Sequence, residues 1–335
     1  MINSIQVLRG LAALYVVVYH SAIKVEQDWF VAQLGASGVD LFFIISGFII
    51  THTFLNKPDQ TTTEFLTKRI IRIVPMYWLT TLAYAALLLL FPSAFSTHSF
   101  DLLHTIKSLL FISLEDYPVV YTGWTLSFEM YFYVLFGLMI ATTATHTPKI
   151  IATALLLSTL LGLLLPGQSS YMRDFFTSPL LTEFSLGVVL AYLYRAKIPV
   201  SNATSICLLL VGFAGLYVLR DMDRFVSFGL PMLLVFMAIV LNRNITSNNR
   251  LLLLLGDASY SIYLTHVLSL PALHVIASKL GLYSASMWSI IPLFIAYTLV
   301  STMIGVIAYW LAEKPMTAAL SQWQRKQSKP APVLP

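Results

Sequence analysis

The chain has 335 residues, of which 58% are hydrophobic and only 10% are charged. Soluble domains carry about 25% charged residues, so this composition excludes an ordinary soluble protein and indicates an integral membrane protein. The net charge is +5, but the basic residues lie between apolar segments and in the tail, which indicates membrane topology rather than nucleic-acid binding. The single Cys207 excludes an intrachain disulfide and a multi-cysteine metal site.

Ten segments approach the length of about 20 mostly apolar residues that a membrane-spanning helix needs. We therefore predict an all-α integral membrane protein with about ten transmembrane helices. The predicted helices are 5–23, 36–55, 75–92, 123–141, 149–165, 180–196, 203–219, 225–242, 252–277 and 287–311. Residues 101–114 are too short and too amphipathic to span, and we expect an interfacial helix there. The N-terminus does not resemble a signal peptide, so the first helix is expected to be retained.

Lysine and arginine residues predict the orientation of these helices. If the N-terminus is cytoplasmic, most of them fall in the inner loops and in the tail, which satisfies the positive-inside rule. We therefore expect both termini to be cytoplasmic. Residues 1–315 are predicted to form one transmembrane domain, and residues 316–335 a disordered cytoplasmic tail.

The first predicted helix contains two ionisable side chains, Arg9 and His20. Charged groups at membrane depth are costly, so their presence is a functional hypothesis by default. Eleven residues separate the two, which places them on nearly the same helix face and roughly 16 Å apart along the axis. One face of this helix therefore brings a cation near one membrane surface and an imidazole near the other.

The alternating direction of the helices predicts the depth of other polar side chains. Four ionisable groups are predicted in the outer half of the bilayer: His20, Asp40, Glu129 and His266. Asp40 begins the second helix at the level predicted for His20, where a carboxylate can fix the imidazole tautomer and raise its basicity. Trp124 is predicted at the same outer level.

The cytoplasmic side has a different, basic character. Arg69 and Arg72 are three residues apart, and with Arg9 and Lys68 they are expected to form a basic mouth before Pro75 begins the third span. Arginine side chains suit phosphate oxygens. The sequence contains no Walker-type or dinucleotide glycine signature and no convincing metal-ligand spacing.

Together these motifs resemble the membrane-bound acyltransferase-3 family, the O-acetylases of bacterial surface polysaccharides. The resemblance is to the single-domain exopolysaccharide type, without the SGNH esterase-like extension of longer relatives. Its matching pieces are the Arg-x10-His of Arg9 and His20, GVDLFFIISGF from Gly38, the Arg-x-x-Arg of Arg69 and Arg72, WTLSFEMYF from Trp124, SYSIYLTH from Ser259, and the EKP that ends at Pro315.

The resemblance implies an enzyme of the bacterial inner membrane. Such an enzyme moves an acetyl group from cytoplasmic acetyl-CoA to a hydroxyl of a cell-surface polysaccharide or its lipid-linked precursor. Acetyl-CoA is a substrate here, and no permanently bound cofactor, metal or nucleic-acid partner is expected. The basic mouth would hold the CoA phosphates, and the pantetheine arm would run along the first helix.

The same resemblance implies roles for single residues. His20 would act as general base on the acceptor hydroxyl or briefly carry the acetyl group. Asp40 and Glu129 would be active-site carboxylates. The side chains that would bind the acceptor or support the site are Trp124, Tyr260 and His266.

Two other interpretations stay open at this point. A transporter or flippase of an acyl donor or glycolipid also needs buried charges, but transporters commonly show repeated halves and this chain shows none. A sensing or assembly subunit is the third interpretation, and the number of buried ionisable groups is excessive for it. Arg9 alone can be an interfacial anchor, and a lone histidine near an interface is more often structural than catalytic.

Overall fold

A computed structural model describes residues 2–91, 100–112, 116–143, 146–165, 170–282 and 286–327. Across those ranges the chain is helical and contains no β-strand. The helices are α1 (Asn3–Lys24), α2 (Ser37–Asn56), α3 (Thr62–Leu90), α4 (Leu102–Leu109), α5 (Gly123–Thr143), α6 (Thr147–Leu164), α7 (Leu180–Arg195), α8 (Asn202–Val218), α9 (Leu230–Val240), α10 (Arg250–Asp257), α11 (Ser259–Lys279), α12 (Met287–Ala308) and α13 (Lys314–Gln327). Short helical turns cover Phe30–Gln33, Leu34–Ala36 and Tyr171–Phe176, and π-helical segments cover Phe225–Gly229 and Tyr309–Glu313.

Within the described residues, eight helical segments are long and apolar enough to cross a membrane. They are Asn3–Lys24, Phe30–Asn56, Thr62–Leu90, Gly123–Thr142, Thr147–Leu164, Tyr171–Arg195, Ser259–Lys279 and Met287–Lys326. Two further apolar helices, Asn202–Val218 and Phe225–Val240, are shorter. The prediction of an all-α, multi-pass membrane protein is therefore confirmed. Ten crossings and cytoplasmic termini remain predictions.

Helix α3 begins well before the predicted span 75–92 and runs through Pro75. Its first turn is capped by Thr61, whose side chain accepts a backbone hydrogen bond. Proline removes one backbone donor from the helix, a loss that neighbouring helices make tolerable within a bundle. Arg69 and Arg72 therefore project from the transmembrane helix itself and not from a loop that precedes it.

The predicted span 252–277 is in fact two helices, α10 and α11, which meet at Ala258. Asn249 caps α10 by accepting hydrogen bonds from two backbone N–H groups of its first turn. At the other end of α10, Gln6 donates a hydrogen bond to the Asp257 carboxylate. This tie to α1 holds the chain at the point where the membrane-spanning α11 begins.

The predicted disordered tail, 316–335, is helical as far as residue 327. This part of the chain is rich in good helix formers and contains no glycine. Helix α13 packs against α3. Thr317, Ser321 and Gln324 lie on one face of α13, which borders the cavity described below. Residues 328–335 lie outside the part of the chain that the structure describes.

Two glycines of α2 set its distance from the helices beside it. A Cβ on Gly38 would lie 2.4 Å from the carbonyl oxygen of Ala12 in α1. A Cβ on Gly47 would lie 2.1 Å from the carbonyl oxygen of Phe184 in α7. The backbones of α1 and α7 therefore pack directly on α2, as small residues permit between membrane helices.

Candidate active site

A cavity of about 960 Å³ opens at the end of the bundle where α1 begins and α2 ends. Side chains of α1, α2, α3, α5, α11 and α13 contribute to its wall. Its charged lining residues are Arg9, Lys57, Lys68, Arg69, Arg72, Glu129 and Asp257. Five of these are cations and two are anions, so the cavity attracts an anionic ligand.

All four residues predicted to form a basic mouth, Arg9, Lys68, Arg69 and Arg72, line this cavity. Arg9 is half-buried. The structure gives its guanidinium no hydrogen bond or salt bridge within the described residues. Glu129 and Glu313 attract it electrostatically. Its donor groups thus remain available to a ligand in the cavity.

Arg69 and Arg72 are held in different ways. Arg72 makes a salt bridge of 2.6 Å with Glu313, and its guanidinium lies 6.0 Å from the ring centroid of Tyr260. Arg69 has no carboxylate partner in the described chain and lies over the Tyr133 ring at 5.7 Å. Its Nε is buried without a hydrogen-bond partner. Arg69 therefore resembles Arg9 in having unused donors.

Lys68 stands at the exposed rim of the cavity. It pairs with Glu64 at 2.9 Å, and Lys57 pairs with the same carboxylate at 2.6 Å. Both lysines are substantially exposed, so these ion pairs contribute little to stability. Lys57, which the sequence analysis did not select, adds a further cation to the rim.

Glu129 lines this cavity, whereas the sequence predicted only its depth in the bilayer and not its neighbours. Its carboxylate accepts hydrogen bonds from Ser46 Oγ at 2.8 Å and from the Tyr133 hydroxyl, and it attracts Arg9. The prediction rested on depth along α5, which does not decide towards which neighbouring helix a side chain points. The contact with Ser46 places Glu129 on the cavity wall.

His20 packs against His266, with ring centroids 4.8 Å apart and a tilt of 48°. The Nδ1 of His20 lies 2.9 Å from the Val16 carbonyl oxygen. Because a carbonyl only accepts, Nδ1 carries the proton and Nε2 keeps its lone pair. His266 in turn packs against Tyr263, with ring centroids 5.8 Å apart, and Tyr263 lines the cavity. The two histidines do not line the cavity themselves but lie behind Tyr263, which does.

Asp40 does not orient His20, contrary to the prediction. Its Oδ2 accepts a hydrogen bond from Arg224 at 2.7 Å in a salt bridge, and the carboxylate is wholly buried. The reason is the register of α2 on α1. Because Gly38 packs on Ala12, Asp40 lies much closer to the N-terminal end of α1 than His20 does. The orienting acceptor for the imidazole is the Val16 carbonyl instead.

Glu183 is a buried carboxyl group that the sequence analysis missed. It lies within hydrogen-bond reach of Asp40, and the positive charge of Arg224 attracts both carboxyl groups. Both of its oxygens lack a donor within the described residues. The rule that selected Arg9, an ionisable group inside an apolar helix, would also have selected Glu183.

Trp124 and Tyr260 have packing roles in the structure. Trp124 lies 5.9 Å from the guanidinium of Arg224 and makes an edge contact with Phe128. The Tyr260 hydroxyl donates a hydrogen bond of 2.7 Å to the Ile73 carbonyl oxygen, which ties α11 to α3 at the cavity wall. No group of three or more His, Cys, Asp or Glu side chains in the described chain is placed to hold a metal ion.

Comparison with known proteins shows the family to which the chain belongs. A family model described as an acyltransferase domain, acyltransferase-3, matches residues 2–310. The exopolysaccharide production protein ExoZ of Rhizobium meliloti is 32% identical over 316 residues, covering 89% of this chain and 93% of that protein. The putative acetyltransferase ORF330 of Acidianus two-tailed virus is 27% identical, covering 82% and 85%.

A third relative is longer than the chain. The O-acetyltransferase OatA of Staphylococcus aureus (strain NCTC 8325 / PS 47) is 27% identical, and the match covers 77% of this chain but 49% of OatA. No solved structure matches this chain. The family match spans nearly the whole sequence, and it includes the charged residues that line the cavity and the histidine pair. The chain belongs to the acyltransferase-3 family of membrane acyltransferases.

Proposed function

We propose that this membrane acyltransferase moves an acetyl group from acetyl-CoA to a hydroxyl of a cell-surface polysaccharide or its lipid-linked precursor, in a bacterial inner membrane. The single observation that carries the proposal is the continuity of two features. Tyr263 lines an electropositive cavity, and its ring packs against His266, which packs against His20. Such an arrangement suits an anionic carrier whose reactive end must reach a base.

The donor end of the site consists of the four predicted basic residues. The phosphates of CoA would bind Arg9, Arg69, Arg72 and Lys68, which share one cavity. Arginine is well suited to this task because its planar donors match phosphate oxygens. Glu129, predicted as an active-site carboxylate, is proposed to position Arg9. The extended pantetheine arm would then cover the roughly 16 Å of helix between Arg9 and His20.

The chemical step is assigned to Nε2 of His20. This nitrogen takes the proton of the acceptor hydroxyl, and the hydroxyl oxygen forms a bond to the thioester carbonyl carbon. The C–S bond then breaks, and the proton passes from Nε2 to the departing thiolate of CoA. General base catalysis of this kind typically contributes about 10² to 10⁴-fold, and the remainder comes from positioning of the two substrates.

The acceptor is assigned from the relatives and from chemistry. One relative is named for exopolysaccharide production and another for O-acetyl transfer, and sugar hydroxyls supply the attacking oxygen. Asp40, predicted to be catalytic, is proposed instead to hold Arg224 beside Trp124. Trp124 lies at the N-terminal end of α5 and offers an aromatic surface against which a sugar ring can stack.

The experiment compares polysaccharide exported by cells that carry wild-type protein, His20→Ala, His274→Ala or no protein. His274 is the matched control, because it lies two turns beyond His266 on α11 and contacts Tyr297. Proton NMR of the purified polymer should show O-acetyl signals with the wild type and the control only, at unchanged polymer yield. Loss of export with undiminished acetylation of the remaining sugars would instead indicate a transporter or flippase.

A further inference from the structure

His266 is a wholly buried histidine without a hydrogen bond in the described chain. Its exposed fraction is zero, and neither ring nitrogen has a partner. The carbonyls of Ile262 and Tyr263 lie beside the ring without hydrogen-bond geometry. A neutral imidazole carries one N–H donor, and leaving a buried donor unpaired is unfavourable. An unpaired group of this kind needs an explanation, such as a ligand that completes it.

The position of the ring suggests which ligand completes it. His266 lies 4.8 Å from the His20 ring on one side and 5.8 Å from Tyr263 on the other, measured between ring centroids. Tyr263 lines the cavity. A thioester that reaches Nε2 of His20 from this cavity therefore brings its carbonyl group beside His266.

The two histidines are held differently by their own helix backbones. His20 donates from Nδ1 to the carbonyl four residues earlier, which commits its Nε2 to accepting a proton. The equivalent bond from His266 to the Ile262 carbonyl is not formed with normal geometry. The proton of His266 is therefore not tied to Nδ1, and an N–H group remains for a ligand. This asymmetry distinguishes a base from a hydrogen-bond donor.

The charge of His266 points the same way. An imidazolium here would be buried without an ion-pair partner in the described chain, which is strongly unfavourable. A neutral ring avoids this cost and can still donate a hydrogen bond. Neutral imidazole is an effective electrophile towards a carbonyl oxygen that gains negative charge.

We propose that His266 is a further catalytic residue, which donates an N–H hydrogen bond to the thioester carbonyl oxygen as that oxygen becomes an oxyanion. The inference rests on the acetyl transfer proposed above. The hydroxyl proton still passes to His20 and then to the thiolate, so His266 neither gains nor loses a proton. One such donor typically contributes about 10² to 10³-fold to kcat.

The test compares His266→Gln with His266→Met. The two replacements have similar length, but only glutamine retains an N–H group, at about the reach of the imidazole Nε2. Each variant is purified in lipid nanodiscs and assayed with acetyl-CoA and alkali-treated exopolysaccharide, from which O-acetyl groups have been removed. The assays give kcat, the KM for acetyl-CoA and the pH dependence of the rate.

We expect H266M to lose about 10² to 10³-fold in kcat, with KM for acetyl-CoA changed by less than about threefold. The kcat of H266Q should be at least about tenfold higher than that of H266M. The pH dependence of the residual rate should stay unchanged, because His20 remains the base. If H266M is not monodisperse, His266→Phe replaces it, since phenylalanine retains a planar ring without a donor.

Several outcomes overturn the proposal. A donor-free variant with wild-type kcat removes the catalytic role, and equal rates for H266Q and the donor-free variant show that shape alone matters. A shifted pH dependence makes His266 a base. These results leave the proposed function intact when the wild type transfers acetyl groups. Absence of transfer by the wild type overturns the proposed function and this inference together.

Discussion

Arg72 and Glu313 form a salt bridge of 2.6 Å that ties α3 to the π-helical segment between α12 and α13. The same carboxylate accepts hydrogen bonds from the backbone N–H and the hydroxyl of Ser261 in α11, at 3.2 and 2.6 Å. Glu313 is almost wholly buried, while Arg72 lines the cavity. One acidic side chain thus connects three elements around the proposed donor site.

Glu313→Gln should therefore destabilise the bundle. It leaves a partly buried guanidinium without its counter-charge, which costs roughly 3 kcal/mol. Ser261→Ala is the control, since it keeps the ion pair and should cost about 1–2 kcal/mol. The free energy of unfolding is measured by titration with SDS in mixed micelles. Equal stability of E313Q and the wild type would contradict the assigned role.

Arg9→Gln and Arg69→Gln should weaken acetyl-CoA binding without a comparable loss of stability. Neither guanidinium has a salt bridge to a carboxylate in the described chain, and Glu129, which attracts Arg9, keeps its hydrogen bonds from Ser46 and Tyr133 when Arg9 is replaced. A charged hydrogen bond to phosphate is worth about 1.5–3 kcal/mol, which predicts a Kd raised roughly 10- to 100-fold.

The control for these variants is Arg195→Gln, because Arg195 donates to the Leu55 carbonyl and does not line the cavity. Isothermal titration calorimetry with acetyl-CoA measures the three affinities. If both cavity variants bind as tightly as the control, the assignment of the cavity to CoA is wrong.

Asp40→Asn and Glu183→Gln should differ in their effect, although the two carboxyl groups are neighbours. Asp40 pairs with Arg224, so D40N leaves a cation unpaired and should cost about 2 kcal/mol, moderated by the partial exposure of Arg224. The single positive charge of Arg224 balances one negative charge. We therefore expect Asp40 and Glu183 to share one proton, so that only one carboxylate is charged.

The amide of E183Q can replace that proton as a donor to Asp40, and we expect a change in unfolding free energy of less than about 1 kcal/mol. Thermal unfolding of the two variants in nanodiscs compares them directly. A larger loss for E183Q than for D40N would show that the proton does not reside on this pair.

Gly38→Ala should separate α1 from α2. The added Cβ would lie 2.4 Å from the Ala12 carbonyl oxygen, and overpacking of this kind typically costs about 1–3 kcal/mol. Gly215→Ala is the control, because its Cβ would lie 3.3 Å from a side-chain atom of Pro231. Alanine there is favoured by helix propensity, and we expect G215A to be as stable as the wild type. Comparable losses in both variants would argue against a specific backbone contact.

The basic cavity was predictable from the sequence because membrane insertion restricts charged side chains so strongly. An arginine inside an apolar helix must face a polar cavity or the interface. Arg9, Arg69 and Arg72 satisfy this condition in one cavity. The common depth of His20 and His266 was predicted from the directions of their helices, both of which run outward, but the contact between the two rings was not predicted.

The carboxylates were harder to place because depth along a helix fixes neither its register nor its rotation. The contact between Gly38 and Ala12 sets the register of α2, which moves Asp40 away from the level of His20. The rotation of α5 turns Glu129 towards Ser46. Both depend on packing between distant segments, which hydropathy and spacing do not contain.

The acceptor for the Nδ1 proton of His20 is a main-chain oxygen, that of Val16. Every amino acid supplies this oxygen, so replacing the valine side chain leaves the tautomer of the imidazole unchanged. A mutational scan of the surrounding side chains would therefore find no orienting partner for His20. Only a perturbation of the helix backbone itself, such as a proline substituted near Val16 while His20 is kept, would reveal it.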